Sequence, residues 1–326
     1  MTSSTLALGI VLVLGCAVTT AVVISAWRFP LAPPTPSGGG IAIWLVAITA
    51  IAAATAMSAH ELWETPAQLA ILVVASGALT VVGAIDDARG LSVRSRLVVQ
   101  LACALAIVVG LPATSRFVPT IPLELERAIL VFAIVWFVNL TNFMDGIDWL
   151  SIASVIPITA ALTVLGSLEL VPDRVTIVAL ALGGATLGFA PFNRPVARLF
   201  LGDAGSLPIG LILAWLLILT AAAGQLAAAG LLPLYAVADT TITLGRRWFR
   251  GQRVFESHQT HFYQLAIARG WSVPQILARV IVVNGVLAML AIASALVESV
   301  TFDLAALGSG AIVVAALLRS LSRGRP

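Results

Sequence analysis

Residues 200–223 read FLGDAGSLPIGLILAWLLILTAAA, and this stretch decides the class of fold. One carboxylate, Asp203, stands near its head, and from Gly205 to Ala223 no charge interrupts the apolar run. A hydrocarbon core ~30 Å thick takes ~20 helical residues, so such a run is a membrane-crossing helix. Working outward, runs of the same kind fall at 5–27, 39–58, 67–85, 95–112, 128–141, 150–168, 175–191, 226–243, 275–297 and 300–319. With 205–223 they predict an all-α polytopic membrane bundle of about eleven transmembrane helices, ten being the alternative. Composition agrees: of 326 residues, 60% are hydrophobic and 10% charged, against roughly 25% charged in soluble domains. Too few charges remain to coat a water-facing surface. A soluble enzyme, a nucleic-acid-binding domain and a disordered chain are excluded.

All 18 basic residues are arginine. Without lysine there is neither a Walker-type phosphate loop nor a Schiff base. Placing the N-terminus outside and alternating the spans leaves only Arg116, Arg127 and Arg174 on the outer side. Every other arginine then falls on cytoplasmic loops or the C-terminal tail, as the positive-inside rule requires. The first run lacks a preceding basic segment and is followed by Arg28, which reads as a retained signal-anchor. Cys16 and Cys103 lie inside apolar runs, so neither a disulfide nor a thiolate metal site is expected. Residues 1–326 form a single integral-membrane domain, with one polar stretch, about 244–274, long enough for structure of its own. No internal repeat is visible, which weakens a transporter built from inverted repeats.

The acidic residues sort by side. On the inner side lie Asp86 and Asp87 after VVGAI, Asp145 and Asp148 after FVNLTNFM, Asp203 in FLGDAGS, then Asp239 and Glu256. The first five stand at helix ends, beside glycine and at one membrane depth. If their loops converge, mutual repulsion raises their pKa values unless a cation compensates. Mg²⁺ suits such a site, because it takes one or two protein carboxylates plus substrate oxygens and waters. Charges at membrane depth are functional candidates by default. A cation path through the membrane would instead set ionisable residues at mid-depth in several helices.

Other elements fit the same cleft. Residues 33–40, PPTPSGGG, place Gly38 and Gly39 at the head of the second helix, where backbone N–H groups can approach an anion. Asn139, Asn142 and Asp145 recur every three residues and would share a helical face. His258 and His261 are also three apart, and bonding to phosphate is favoured over metal ligation for them.

GAIDDARGLSVRSRL, NLTNFMDGIDWL, PFNRPVARLFLGDAGSL and the loop ESHQTHFYQ, in this order and on one predicted face, resemble the polyprenyl-phosphate N-acetylhexosamine-1-phosphate transferases. These belong to glycosyltransferase family 4, within the superfamily that includes the phospho-N-acetylmuramoyl-pentapeptide transferases. The histidine loop looks closest to the O-antigen-initiating branch. The resemblance runs from about Thr35 to Gln264. It implies that undecaprenyl phosphate attacks the β-phosphorus of a UDP-N-acetylhexosamine, with direct attack favoured over a covalent aspartyl intermediate. It also implies Mg²⁺ with Mn²⁺ as a substitute, membrane lipid as surroundings, a homodimer, and an inner (cytoplasmic) membrane location with the site on the cytoplasmic face.

By motif, Asp203 is the first choice for the metal ligand, supported by Asp87, and Asp86 deprotonates or orients the lipid phosphate. Asn142, Asp145 and Asp148, with Asn139, line the nucleotide site. Phe200 stacks on uracil beside Asn193, Arg94 holds a phosphate, and His258 and His261 contact the pyrophosphate. Two positions depart from the family pattern. Ser37 stands where a basic residue precedes the glycines, and Trp149 stands where DGIDGL has glycine. The sugar (GlcNAc, GalNAc, FucNAc or QuiNAc) and the downstream glycan are left open.

Overall fold

The computed structural model describes residues 3–26, 35–58, 63, 65–112, 115–118, 120–253 and 258–323. Arg28, residues 33–34 of the first loop, and Glu256 lie outside them. Among the described residues the regular elements are all helices, without strands: α1 Ser3–Ala26, α2 Gly39–Met57, α3 Pro66–Arg89, α4 Val93–Val109, α5 Leu123–Phe143, α6 Leu150–Ser167 and α7 Asp173–Phe189. They continue as α8 Asp203–Ala222, α9 Leu226–Leu231, α10 Leu234–Phe249, α11 Phe262–Ala268, α12 Val273–Val297 and α13 Val300–Ser322. Six of these, α2, α3, α6, α8, α12 and α13, are long and apolar enough to cross a membrane. The protein is a polytopic helical membrane protein.

The bundle is built around α8. Of its apolar window 94% is buried, against 22% for α13 at the periphery. Since lipid tails provide no hydrophobic drive between helices, close approach depends on small residues. Gly40 of α2 meets the backbone of Gly205, Gly83 of α3 meets the backbone of Asp203 and Ala204, and Gly210 of α8 meets Val138 and Thr141 of α5. A Cβ on Gly40 or Gly83 would overlap main-chain atoms, which no rotamer change relieves. These contacts bring the start of α8 against the end of α3. On the far side of the bundle, Gly184 and Gly188 of α7 admit the backbone of α1 at Val13 and Ala17.

Two expectations are corrected, and the polar stretch 244–274 has the structure of its own that its length allows. The run 226–243 is not one helix: it is α9 and α10, interrupted around Pro233, which has no N–H to donate and crowds the preceding turn. The polar stretch 244–274 is partly helical, since α10 continues to Phe249 and α11 fills 262–268. Helix α5 is longer than 128–141, because its first turn, with Glu124 and Glu126, is also helical; acidic side chains are favourable at that end of the dipole.

Candidate active site

Asp86 and Asp87 occupy the last turn of α3, Asn142 the last turn of α5, and Asp203 the first position of α8. The guanidinium of Arg96, on α4, joins two of these helices. Its Nη1 donates to Asp86 Oδ2 at 2.6 Å and to Asp203 Oδ2 at 3.0 Å. The other oxygen of Asp203 accepts from Asn142 Nδ2 at 2.7 Å, and that amide also reaches Ser206 Oγ at 2.9 Å. Asp86 Oδ1 accepts the backbone N–H of Leu91. Four helix ends are therefore tied through one arginine and one asparagine.

Asp87 has a further task. Gly202, the residue before α8, has φ 74° and no side chain to cap the helix. Asp87 supplies the missing acceptor from α3, taking the N–H of Asp203 at 3.0 Å and of Ala204 at 3.3 Å. A carboxylate at an N-terminus satisfies orphan donors and meets the positive end of the dipole. Any side chain at Gly202 would collide with Asp87 Oδ2.

Asp145 and Asp148 lie in the turn between α5 and α6. Asp145 accepts from Ser151 Oγ at 2.6 Å, and Asp148 Oδ2 takes the N–H of Ala197 at 2.9 Å, holding the 190–202 loop. Burial pushes the Asp145 carboxyl up to about 8, with Asp203, Asp87 and Asp148 adding like-charge repulsion. One guanidinium thus does not neutralise the group, and the surplus is negative. Among the described residues no three His, Cys, Asp or Glu side chains already form a closed ligand set. A cation held by one or two carboxylates and completed by substrate oxygens is compatible with that donor set.

The remaining predicted residues divide. Phe200 leaves its ring 43% exposed beside the site, its N–H bonded to the Pro36 carbonyl at 2.9 Å. Arg94 is exposed on the first turn of α4. Two residues further on a helix points to nearly the opposite face, so Arg96, which the motif reading passed over, is the arginine inside the cleft. Asn139 does not extend the row to Asp145, because α5 ends at Phe143. Its amide instead bonds Gln100 of α4 at 2.6 Å and the Val135 carbonyl at 2.8 Å.

Asn193 is a buried brace, accepting the N–H of Trp149 at 2.8 Å and donating to Leu199 at 3.0 Å. Nor are the glycine N–H groups bare: Gly39 and Gly40 donate to the Phe200 and Leu201 carbonyls, each at 3.1 Å. Gly39 is required sterically, since a Cβ would enter the Phe189 ring. Gly38 has φ 117°, a conformation suited to glycine.

His258 and His261 do not share a helix. His258 is in the loop and His261 caps α11, yet their rings stack at 5.0 Å. Both lie against Phe143, at 6.1 and 5.6 Å. Tyr263 Oη donates to the Phe143 carbonyl at 2.8 Å, fixing this cluster to the Asp145 turn. Burial pushes the His258 ring down to about 4, helped by His261 and Arg247, so it is neutral near pH 7. Trp149 takes the left-handed conformation, φ 65°, where glycine would be unstrained, and its indole N–H bonds the Ala190 carbonyl at 2.7 Å.

A polytopic helical membrane protein with a carboxylate-rich cleft at one end of its bundle is the class that fold and site define. The family model of glycosyl transferase family 4 matches residues 69–221, α3 through α8. The chain is 29% identical over 330 residues to the decaprenyl-phosphate N-acetylglucosaminephosphotransferase of Mycobacterium tuberculosis, covering 89% of this chain and 80% of that one. It is also 29% identical over 264 residues to the phospho-N-acetylmuramoyl-pentapeptide-transferase of Carboxydothermus hydrogenoformans, covering 73% and 78%. The corresponding transferase of Leuconostoc citreum is 31% identical over 194 residues, or 54% of this chain and 59% of that one.

Proposed function

We infer that the protein transfers N-acetylhexosamine-1-phosphate from a UDP-sugar to undecaprenyl or a related polyprenyl phosphate, releasing UMP. The product is a lipid-linked pyrophosphoryl sugar that initiates O-antigen or another envelope glycan. The observation that carries this reading is the joining of Asp86, Asp203 and Asn142 from three helix ends beside Asp145 and Asp148. The match to glycosyl transferase family 4 supports the reaction class.

In this reading residues 1–326 are one catalytic domain crossing the membrane about eleven times. Its N-terminus is outside, and the cleft opens to the cytoplasm. A phosphate oxygen of the lipid attacks the β-phosphorus of the donor, and the bond from that phosphorus to the bridging oxygen breaks. The bridging oxygen leaves on UMP. Asp86 takes or orients the proton of the lipid phosphate, close to Arg96, which offsets charge at its oxygen. Asn142 holds Asp203 in place, and Asp87 fixes the turn that presents it. Asp145 and Asp148 line the nucleotide side with Phe200, whose exposed ring is free to stack on uracil. Asn139 and Asn193 act behind this surface by bracing it. Gly38 and Gly39 close the turn under Phe200, Arg94 reaches phosphate from the rim, and His258 and His261 face the pyrophosphate.

Asp203 and Asp87 would hold Mg²⁺, or Mn²⁺ in its place; the ion, when bound, offsets charge developing on the leaving phosphate. Direct attack accounts for the reaction without a covalent intermediate, because holding both phosphates in one site converts the step to a near-unimolecular one. The test is UMP release by purified protein with undecaprenyl phosphate, Mg²⁺ and a panel of UDP-HexNAc donors. Release that requires lipid and divalent cation, and disappears in Asp203→Asn, supports the reading. Folded protein that turns over no donor defeats it.

A further inference from the structure

Asp239, on α10, has no part in the roles above, yet it is fully buried, at 0% exposure. A carboxylate stays ionised in such a place only if it is paired and hydrogen-bonded. Its Oδ1 faces His261 Nδ1 at 3.0 Å and accepts the N–H of Phe262 at 3.2 Å. His261 is itself buried, at 1% exposure, and its Nε2 has no hydrogen-bond partner among the described residues. The ring is wedged between His258 at 5.0 Å, Phe143 at 5.6 Å and Tyr263 at 5.9 Å, so it cannot turn over freely. One nitrogen is tied to a carboxylate and the other is held bare.

The surroundings assign the partner. Facing this ring and its carboxylate are Tyr235 of α10, His258 in the loop with Arg247 of α10 near it, Tyr263 of α11 and, across the Tyr263 hydroxyl, Asp145. Arg246 is turned onto the Phe262 ring at 4.6 Å. Among these only Asp239 bonds the imidazole and carries negative charge. A carboxylate on one ring nitrogen sets which nitrogen bears the proton and favours the doubly protonated ring.

We propose that Asp239 is a positioning residue that keeps a proton on His261 Nδ1, so that Nε2 can take a second proton and donate it in a hydrogen bond to an anionic phosphate oxygen. This rests on the reading that His261 faces the pyrophosphate. The chain has three histidines, His60, His258 and His261, so their ring nitrogens can be resolved by ¹⁵N-histidine labelling of the full protein in detergent. Single His→Gln variants supply the assignments. With UDP as probe, wild-type His261 should show a protonated Nδ1 at pH 7, and UDP addition should bring a proton onto Nε2.

In Asp239→Asn the side-chain oxygen still serves both the Phe262 N–H and Nδ1, but the negative charge that favours a second proton on the ring is gone. The ring then stays the neutral Nδ1–H tautomer, and Nε2 has no proton to donate to phosphate. Turnover should fall about a hundredfold with KM for the UDP-sugar changed by less than about twofold. Asp239→Glu should keep the Nδ1 proton and recover part of the rate. A wild-type Nδ1 without a proton overturns the proposal, even if Asp239→Asn fails to fold. So does a folded Asp239→Asn with wild-type turnover. If no donor is turned over, the ring spectrum still reports the tautomer, so this proposal and the transferase reading fail separately.

Discussion

Two arginine–carboxylate contacts lie at opposite ends of α4, and they are built for different ends. At one, Arg116 Nε meets the buried Glu126 at 2.5 Å, while the second Glu126 oxygen takes the N–H groups of Phe117 and Val118. One positive charge serves one negative charge, and both oxygens are occupied. At the other, Arg96 is shared by Asp86 and Asp203, while Asp145 stands near with its carboxyl raised to about 8. The first contact is closed and can only brace a loop. The second is left electrostatically incomplete, with negative charge in excess, which a cation would offset. The teaching is that charge balance, not burial or bond length, separates brace from site.

Breaking the incomplete end should have the largest effect. Asp203→Asn keeps the shape and the contact with Asn142 but removes the charge, and turnover measured as UMP release should fall by more than about a thousandfold. Arg96→Gln should follow, with a loss of about a hundredfold, whereas Arg94→Gln, exposed on the same turn, should cost far less. Opposite behaviour of that pair would make Arg94, not Arg96, the arginine that matters most for turnover. At the closed end, Glu126→Gln should lower the Tm in detergent while leaving kcat unchanged, because nothing there touches substrate. A loss of turnover without a loss of Tm would put the two ends in one class.

The proton on Asp145 sharpens the comparison more gently. Its folded pKa, about 8, lies above the ordinary 3.8. The folded protein therefore holds a proton that the unfolded chain releases. That contribution to stability is fully present below the ordinary value and is lost as pH rises toward the folded one. Without divalent cation the Tm should decline between pH 5 and pH 8, by about a few degrees. Apparent Mg²⁺ affinity should rise over the same range, because the ion competes with the proton; a pH-independent affinity counts against it. The smallest effect concerns Trp149, which carries a left-handed backbone without being glycine. Trp149→Ala and Trp149→Gly both lose the indole, so their difference reads the strain, and the glycine variant should be more stable by about 1 kcal/mol.

Much of the site was legible because a carboxylate at the end of an apolar run has few structural reasons to be there. Asp86, Asp87, Asp145, Asp148 and Asp203 were all visible on that ground, and the structure brings them to one end of the bundle. Arg96 was not, because choosing it over Arg94 needs the rotation of α4 about its axis, which neighbouring helices set. Gly39 and Asn193 were read as ligand contacts. Spacing does not distinguish a glycine that frees an N–H from one that admits a neighbouring ring, or an exposed amide from a buried brace. Asp239 shows the reverse: its charge was plain, but its partner lies 22 positions away.

What the sequence determined alone is the solvent and the class of architecture: long uncharged runs leave the backbone no partner in lipid but itself, so the chain must be helical and span the membrane. Which residues touch was decided only by tertiary packing. Gly40, Gly83, Gly202 and Gly205 let α2, α3 and α8 approach to backbone contact, and that approach turns Asp87 into a cap for α8 and places Asp203 beside Arg96. Periodicity along one helix carries no record of such contacts, because they depend on the rotation and depth of two helices at once.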